Sequence, residues 1–310
     1  MFGHDKKTAA GVSFEKGSRP RFLVTGAYGQ LGSELCRLLG SAAVAVDIDD
    51  LDLTDGKAVR AMLGDSQPEV VINCAAYTQV DQAENDEDAA RAVNAVAVKH
   101  LARACGEIDS LLVQISTDYV FGGSGDRTSP YREDEPPFPQ CVYARTKREG
   151  ELAASRHPKH LIVRTCGLYA RPTDERANNF VRTMLRLGRS HGELRVVSDQ
   201  QCTPSFVPHV AGAVLYLAGI AGCKPAPWGI YHVTNHGATN WHDFAVELFR
   251  LAGMRVSVEA ISTAEYGAVA PRPAYSVLDT TAYDRLGGPA MPSWESALAE
   301  YVEQWKKAVA

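Results

Sequence analysis

The sequence predicts an α/β protein with a doubly wound parallel sheet and a smaller, mixed C-terminal lobe. Two observations indicate this fold. Short runs that are apolar throughout alternate with helical segments from Arg21 to Thr165, a pattern typical of parallel strands covered by helices on both faces. A glycine-rich stretch, TGAYGQLGSE, lies between the first such run and the first helical segment, as it does in Rossmann-type sheets.

The first half of the chain alternates strand and helix. Short apolar runs predict five strands, at residues 21–25, 42–48, 69–76, 110–116 and 160–165. Helical spacing of apolar side chains and alanine-rich composition predict helices at residues 30–39, 57–63, 84–105 and 142–154.

The regular alternation of predicted strands and helices ends after Thr165. Helices are predicted at residues 179–187, 207–218 and 241–251, and strands at residues 193–197 and 229–234. Prolines and glycines cluster at residues 222–229 and 267–273. We therefore expect this half partly to complete the sheet and partly to form a second lobe.

The composition argues against several classes of protein. A formal net charge of −5 without a long basic run argues against a nucleic-acid partner. No apolar run reaches the roughly 18 residues of a membrane span. The seven cysteines include no C-x-x-C pair, which favours a reducing cytoplasm over a disulfide framework or zinc site. Residues 1–20 lack the apolar segment of a signal peptide, and we expect a flexible leader there.

The glycine-rich stretch predicts a dinucleotide site. Gly26, Gly29 and Gly32 follow the spacing G-x-x-G-x-x-G. Backbone N–H groups at a helix start can bind a pyrophosphate, and glycine lets the backbone approach it closely. The turn opens the strand–helix alternation, so we predict an NAD(P)-binding Rossmann domain at residues 21–165. Residues 166–310 form the mixed region that partly completes the sheet and partly forms the substrate lobe.

An acidic residue indicates which dinucleotide is preferred. Asp47 ends the second predicted strand, 21 residues after Gly26. A carboxylate at about this distance accepts the ribose hydroxyls of NAD, and it repels a 2′-phosphate. Neither Ala27 nor Tyr28 offers a cation that would hold such a phosphate. The sequence therefore favours NAD(H), with NADP(H) possible.

A second group of residues indicates acid–base chemistry. Tyr143 and Lys147 are four residues apart on a predicted helix, so their side chains share one face. A nearby ammonium favours the phenolate and should lower the tyrosine pKa, which suits a group that exchanges a proton with a carbonyl or alcohol. Thr117 ends the fourth predicted strand, where its hydroxyl could hold the same oxygen.

These motifs resemble those of the extended short-chain dehydrogenases/reductases, and within them the dTDP-4-dehydrorhamnose reductase family. The matching pieces run in order from residue 21 to about residue 280. They are TGAYGQLGSE, NCAAYTQVDQAE, STDYVFGG, YARTKREGE, RTCGLYA, NNFVRTM, DQQCTPS, GIYHVT, TNWHDFA and RPAYSVLD. The resemblance implies NAD(P)H-dependent reduction of the C4 ketone of a nucleotide-linked 6-deoxy-4-keto sugar.

The resemblance also implies roles for individual residues. Thr117, Tyr143 and Lys147 form the implied catalytic set. The implied cofactor-binding residues are Gly26, Gly29, Gln30, Leu31, Asp47, Asp52, Leu53, Ala75, Ala76, Tyr77 and Lys147. The implied substrate-binding residues are Thr117, Asp118, Tyr143, Gly167 and Asn179. Some members form Mg²⁺-linked dimers through glutamates, and Glu34 could correspond to one of these. A full ligand set cannot be placed, so we predict no metal site, and a homodimer stays open.

The sequence departs from the family pattern at two positions. Gly167 stands where the family usually has a tryptophan, and Cys202 stands where it has a glycine. Both departures concern the sugar subsite.

Three alternatives stay open beside the reductase. A nucleotide-sugar 4,6-dehydratase typically has Asp-Glu after the threonine, whereas here Tyr119 follows Asp118. A nucleotide-sugar 4-epimerase is not excluded by the residues. A non-catalytic, NAD(P)-binding regulatory subunit of the same family would need no intact Thr/Tyr/Lys set.

Overall fold

The computed structural model describes residues 22–122, 126–174, 176, 178–221 and 227–309. The predicted leader and the predicted proline–glycine cluster at 222–226 lie outside these residues. Among the described residues, no helix is long and apolar enough to cross a membrane.

Twelve strands are described, and six of them form the central sheet. They are β1 (Phe22–Thr25), β2 (Ala43–Val46), β3 (Val70–Asn73), β4 (Leu111–Thr117), β5 (His160–Thr165), β6 (Leu168–Tyr169), β7 (Glu193–Val197), β8 (Gln201–Cys202), β9 (Ser205–Phe206), β10 (Gly229–His232), β11 (Thr239–Asn240) and β12 (Ser257–Ile261). The central sheet has the order β2-β1-β3-β4-β5-β10 and is parallel throughout. The predicted doubly wound fold is confirmed.

Twelve α-helices are described. They are α1 (Gln30–Leu39), α2 (Gly56–Ser66), α3 (Val80–Ala83), α4 (Glu87–Arg91), α5 (Ala97–Glu107), α6 (Val142–Ala154), α7 (Phe180–Gly188), α8 (Val207–Ile220), α9 (Trp241–Ala252), α10 (Thr263–Tyr266), α11 (Thr281–Asp284) and α12 (Trp294–Val309). The predicted single helix at 84–105 is wrong at its start. Asp86 caps α4 by accepting the Ala89 N–H, so the helix begins at Glu87.

A π-helical segment, Ala92–Val96, joins α4 to α5. It places Asn94 where its side chain accepts the Tyr77 N–H at 2.9 Å and donates to the Tyr77 carbonyl at 3.2 Å. Asn94 also donates to Thr146 on α6 at 3.1 Å. This local distortion, of a kind often found at functional sites, fixes the loop after β3 against α6.

The sheet is buried on both faces because its strands alternate between two cores. Phe22 and Val24 face one core, which α1 and α8 cover. Leu23 faces the other, which α2 and α5 cover. Both α8 and β10 come from the second half of the chain, and β10 pairs with β5 at one edge of the sheet.

Another part of the second half packs around a hydrophobic core of its own. The parallel pair β7–β12 packs with α7, α9 and α12 around an aromatic cluster that includes Tyr169, Phe206, Phe244, Trp294 and Tyr301. Because β1 lies between β2 and β3, the chain order reverses there, and the carboxyl ends of β1 and β3 flank a crevice.

Candidate active site

The glycine turn closes tightly against the end of β3. Gly26 has a φ of +64°, and a Cβ there would lie 2.6 Å from the Ala75 nitrogen. A Cβ at Gly32 would lie 2.1 Å from the Gly26 carbonyl oxygen. Gly29 precedes α1 without a side-chain cap, and the first turn of α1 has no acidic residue. Its N–H groups are therefore open to an anion such as a pyrophosphate.

Asp47 holds this turn to the end of β2. Its carboxylate accepts the Tyr28 N–H at 2.7 Å and the Ile48 N–H at 2.8 Å. A cation that the sequence did not predict lies nearby, since the Arg176 guanidinium is 5.3 Å from the centre of the Tyr28 ring. The same groove is lined by Asp47, Tyr28 and Arg176. A negative and a positive side chain therefore lie together at the outer end of the groove.

This groove has a volume of about 780 Å³. It brings together all the predicted cofactor-binding residues: Gly26, Gly29, Gln30, Leu31, Asp47, Asp52, Leu53, Ala75, Ala76, Tyr77 and Lys147. Tyr77 and Thr165 also line it, although their hydroxyls are buried and form no hydrogen bond. The glycines leave an open cradle that fits a bound dinucleotide.

Thr117 and Asp118 end β4 in a closed hydrogen-bond network. The Thr117 hydroxyl accepts the Tyr119 N–H at 3.2 Å and donates to the Asp118 carboxylate at 3.1 Å. Ser276 donates to the other Asp118 oxygen at 2.5 Å. Burial raises the pKa of Asp118, and the bonds from Ser276 and Thr117 oppose that rise. The network fixes the Thr117 hydroxyl beside Tyr143.

The pKa of Tyr143 differs from the expected direction. Burial raises the pKa of its phenol, and the nearby Thr117 hydroxyl only partly opposes this. The Lys147 ammonium donates to the Ile115 carbonyl at 2.7 Å. Burial lowers the pKa of Lys147 to about 8, which Glu151 partly opposes. Tyr143 is thus held as a protonated phenol at neutral pH.

A buried ion pair anchors the helix that carries both residues. Glu151 on α6 accepts two hydrogen bonds from Arg164 on β5, at 2.8 and 2.9 Å. It also accepts from Ser116 on β4 at 2.6 Å and from Arg148 at 2.7 Å. The bond from Arg148 lies within α6, and the other three, two from Arg164 and one from Ser116, tie α6 to β5 and β4 and so fix the register of Tyr143 against Thr117.

A smaller cavity of about 170 Å³ adjoins the groove. Thr117, Tyr143 and Gly167 line both spaces, and Asp118 lines the smaller one. Gly167 has a φ of +52°, and a Cβ there would lie 3.0 Å from Trp241 Cη2 and 3.1 Å from Pro204 Cα. The indole of Trp241 therefore occupies the wall beside Gly167, where the resemblance had implied an aromatic side chain.

The predicted substrate residue Asn179 and the glutamate considered as a metal ligand, Glu34, both have other roles. Asn179 caps α7 by accepting the Arg182 N–H at 3.0 Å and donates to Gln30 at 2.9 Å. It lines neither of the two described cavities, whereas Asn178 lines the groove. Glu34 is buried in ion pairs with Arg37 and Arg171, at 2.7 and 3.0 Å. Within the described residues, no group of three or more His, Cys, Asp or Glu side chains could hold a metal ion.

The sequence analysis missed several wall residues of the smaller cavity. They are Thr78, Val80, Tyr119, Cys166, Gln200, Trp241, Pro273 and Ser276. Most lie within motifs that carried the family resemblance, such as DQQCTPS, TNWHDFA and RPAYSVLD. The motifs indicated that these segments are functionally important, but only the folded chain shows that they meet at the end of β4.

The dinucleotide groove and the Tyr-x-x-x-Lys helix beside a strand-end threonine define the class of this protein, an oxidoreductase of the extended short-chain dehydrogenase/reductase type. Its sequence matches the RmlD substrate binding domain family over residues 20–307. The chain belongs to that family, as the resemblance indicated.

Individual relatives agree with this assignment. A dTDP-4-dehydrorhamnose reductase of Streptomyces griseus is 43% identical over 91% of this chain and 93% of its own. A probable dTDP-4,6-dihydroxy-2-methyloxan-3-one 4-ketoreductase of Streptomyces antibioticus is 41% identical over 90% of this chain and 94% of its own. The crystal structure of dTDP-4-dehydrorhamnose reductase from Bacillus anthracis in complex with NADP is 37% identical, with a TM-score of 0.86 over 93% of this chain and 100% of that one.

Proposed function

We propose that this protein reduces the C4 ketone of a dTDP-linked 6-deoxy-4-keto sugar, converting dTDP-4-dehydrorhamnose to dTDP-rhamnose with a reduced nicotinamide cofactor. The observation that carries the proposal is the position of Thr117 and Tyr143, which line both the groove and the smaller cavity. Relatives named as reductases of 4-keto sugars at 41% and 43% identity support it.

The side chains divide the work of proton transfer and orientation. When bound, the reduced cofactor would supply the hydride that adds to the carbonyl carbon. Tyr143 donates its phenolic proton to the oxygen that becomes the alcohol, and its raised pKa keeps that proton in place at neutral pH. Thr117 orients the same oxygen by a hydrogen bond. Lys147, protonated below its pKa of about 8, places a positive charge beside the groove.

The proposed cofactor preference is NADH over NADPH. Asp47 directs a carboxylate to the groove at the end of β2, and Asp52 lines the same end. These charges repel a 2′-phosphate, while Arg176 attracts one. The Asp47 carboxylate accepts hydrogen bonds from two backbone N–H groups. Because these bonds hold it in position, we expect its repulsion of a 2′-phosphate to outweigh the attraction by Arg176.

Replacement of the proton donor tests the proposal. Tyr143→Phe removes one oxygen and should lower kcat by roughly 10²–10⁴, the usual contribution of a positioned general acid. Its affinity for the reduced cofactor should stay within about twofold, because the groove is otherwise unchanged. Turnover is measured by cofactor absorbance with dTDP-4-dehydrorhamnose, and affinity by fluorescence titration.

Lys147→Met is the companion variant. It should weaken cofactor affinity as well as kcat, because it removes a positive charge from a residue that lines the groove. Near-native turnover by Tyr143→Phe would contradict the reductase mechanism and favour a regulatory subunit that binds the cofactor without catalysis.

A further inference from the structure

Asp118 is a buried carboxylate whose hydrogen-bond partners are neutral side chains. It is 2% exposed, and its two oxygens accept hydrogen bonds from the Thr117 and Ser276 hydroxyls, at 3.1 and 2.5 Å. The Cys166 thiol is a third side-chain partner. Because burial disfavours a carboxylate and none of these three groups carries a positive charge, the ionisation of Asp118 depends on the hydrogen bonds that it accepts.

Ser276 reaches Asp118 from a distant part of the chain. The two residues are 158 positions apart, and Ser276 is 3% exposed and lines only the smaller of the two described cavities. Its backbone N–H donates to the Gln201 carbonyl, and the Gln201 N–H donates to the Ala274 carbonyl, each at 2.8 Å. The serine oxygen lies 3.5 Å from the Gln201 carbonyl oxygen but 2.5 Å from the carboxylate, so its single proton is directed to Asp118.

The Asp118 carboxylate in turn fixes the Thr117 hydroxyl. Thr117 donates its one hydroxyl proton to Asp118, and its oxygen accepts the Tyr119 N–H at 3.2 Å. A protonated Asp118 would donate to one of its hydroxyl partners instead of accepting from both, which would weaken the bond that sets the rotation of the Thr117 hydroxyl. Burial raises the pKa of Asp118, and the bond from Ser276 is the largest effect that opposes this rise.

The other titratable groups that face Asp118 do not change charge at acid pH. They are the Tyr119 and Tyr143 phenols and the Cys166 thiol. Each has a pKa above its usual value, through burial for the phenols and through the bond with Cys202 for the thiol. These three groups stay protonated as the pH falls, so Asp118 is the member of this cluster whose charge changes.

We propose that Ser276 is a positioning residue for the reduction: its hydroxyl keeps Asp118 charged and turned toward Thr117, so that a segment near the end of the chain sets the orientation of the catalytic threonine. The catalytic part of this proposal rests on the proposed function, whereas the effect of Ser276 on the charge of Asp118 does not. Proton transfer stays with Tyr143.

Serine variants with a matched control test this role. Ser276→Ala removes the donor, and Ser110→Ala is the control, because Ser110 is also buried and donates to the Pro68 carbonyl but lines neither described cavity. In Ser276→Ala the acid limb of kcat/KM for the sugar nucleotide should move to higher pH by about one to two units, as expected for the loss of one hydrogen bond to a charged group. Ser276→Cys, whose thiol is a weaker donor, should move the limb less. Ser110→Ala should leave it in place, and affinity for the reduced cofactor should stay within about twofold in all three variants.

Urea denaturation of the ligand-free variants gives a readout that does not depend on turnover. The cost of losing the Ser276 hydroxyl is greatest where Asp118 is ionised in both folded proteins, and it shrinks as the pH falls and Asp118 binds a proton in both. The stability difference between Ser276→Ala and the unsubstituted protein should therefore narrow toward acid pH, whereas the difference for Ser110→Ala should stay constant.

Coincident acid limbs for Ser276→Ala and the unsubstituted protein, or an equal movement of the limb in Ser110→Ala, would overturn the proposal. A stability difference for Ser276→Ala that does not change with pH would overturn it as well, because Ser276 would then have no effect on the charge of Asp118. If the unsubstituted protein did not reduce the 4-keto sugar, the proposed function would be refuted, and the pH dependence of stability would still decide whether Ser276 controls the charge of Asp118.

Discussion

The helix that carries Tyr143 and the C-terminal lobe that carries Trp241 are both fixed by buried side chains, but of opposite kinds. Beneath α6, the side chains of Arg164 and Glu151 are 1% and 0% exposed, and Arg164 donates two hydrogen bonds to Glu151. In the lobe, aromatic rings pack on one another, such as Tyr169 on Phe206 with ring centres 5.3 Å apart. Directional bonds fix the catalytic helix in one register, whereas the rings fill space and tolerate small changes of shape.

This difference has a consequence for mutation. Breaking a buried ion pair leaves a charge without compensation, so both stability and the placement of α6 should suffer. Trimming a ring in the lobe leaves a cavity that neighbouring rings partly fill, so stability should fall while catalysis persists. Mutations beneath α6 should therefore lower both stability and kcat, whereas mutations in the lobe should lower stability and leave kcat nearly unchanged.

The largest effect is expected from a mutation that breaks the ion pair between Arg164 and Glu151. Arg164→Met should lower the free energy of unfolding by about 3–5 kcal/mol, because Glu151 loses the partner that donates two of its bonds. The kcat of the remaining folded enzyme should fall as well. Urea denaturation and turnover measure the two effects.

The matched control is Phe244→Leu in the lobe, at a side chain that is 0% exposed. It should lower the free energy of unfolding by about 1–2 kcal/mol and leave kcat nearly unchanged. A fall in kcat as large as that of Arg164→Met would remove the distinction between the two regions.

The second effect is a pH dependence carried by His232. Its Nδ1–H donates to the Asp279 carbonyl at 3.1 Å, and its Nε2 accepts from Arg164 at 3.3 Å. Burial, with the neighbouring Arg164 charge, lowers the pKa of His232 from 6.5 to about 3. Above pH 6.5 the group is neutral in both states, and its contribution to stability is fully present. As the pH falls, the unfolded chain binds the proton first, and stability is lost.

Between pH 6.5 and 5 this loss should be about 2 kcal/mol, at 1.36 kcal/mol per pKa unit. His232→Gln should lose correspondingly less over that interval, whereas replacing the exposed His191 should change nothing. Urea titrations at several pH values provide the measurement. Parallel stability curves for the native protein and His232→Gln would contradict the assignment of a neutral, buried imidazole.

The third effect tests the wall that the lobe contributes to the smaller cavity. Trp241→Leu should raise the KM for the sugar nucleotide by about five- to tenfold and leave the cofactor KM unchanged, since an aromatic contact contributes about 1 kcal/mol. Trp294→Leu is the control, because Trp294 belongs to the same cluster and lines neither cavity. If both variants change the sugar KM equally, the effect comes from a loosened lobe and not from a wall residue.

The smallest effect concerns the outer end of the groove. Asp47→Ala should lower the ratio of kcat/KM for NADH to that for NADPH by roughly two- to fivefold, as expected for a partly exposed charge. Steady-state kinetics with both cofactors measure this. Equal use of NADH and NADPH by the native protein would contradict the proposed role of Asp47.

Local patterns predicted the parts of the site that lie on adjacent strands and helices. The glycine turn, Asp47, Ala75 and Lys147 all line one groove, because each lies at a strand end or on a helix that the sequence already indicated. Asn179 was placed with the substrate by analogy, and its side chain instead caps α7. The pKa of Tyr143 was expected to fall and rises, because burial could not be seen in the sequence.

The parallel sheet, the dinucleotide turn and the acid–base helix could be predicted from the sequence, because they depend on periodicity and on residues close together in the chain. The pairing of Glu151 with Arg164, the wall formed by Trp241 beside Gly167 and the unpaired hydroxyl of Thr165 became visible only in the folded chain. They depend on how separate elements pack, and whether a buried polar group is paired depends on everything packed around it.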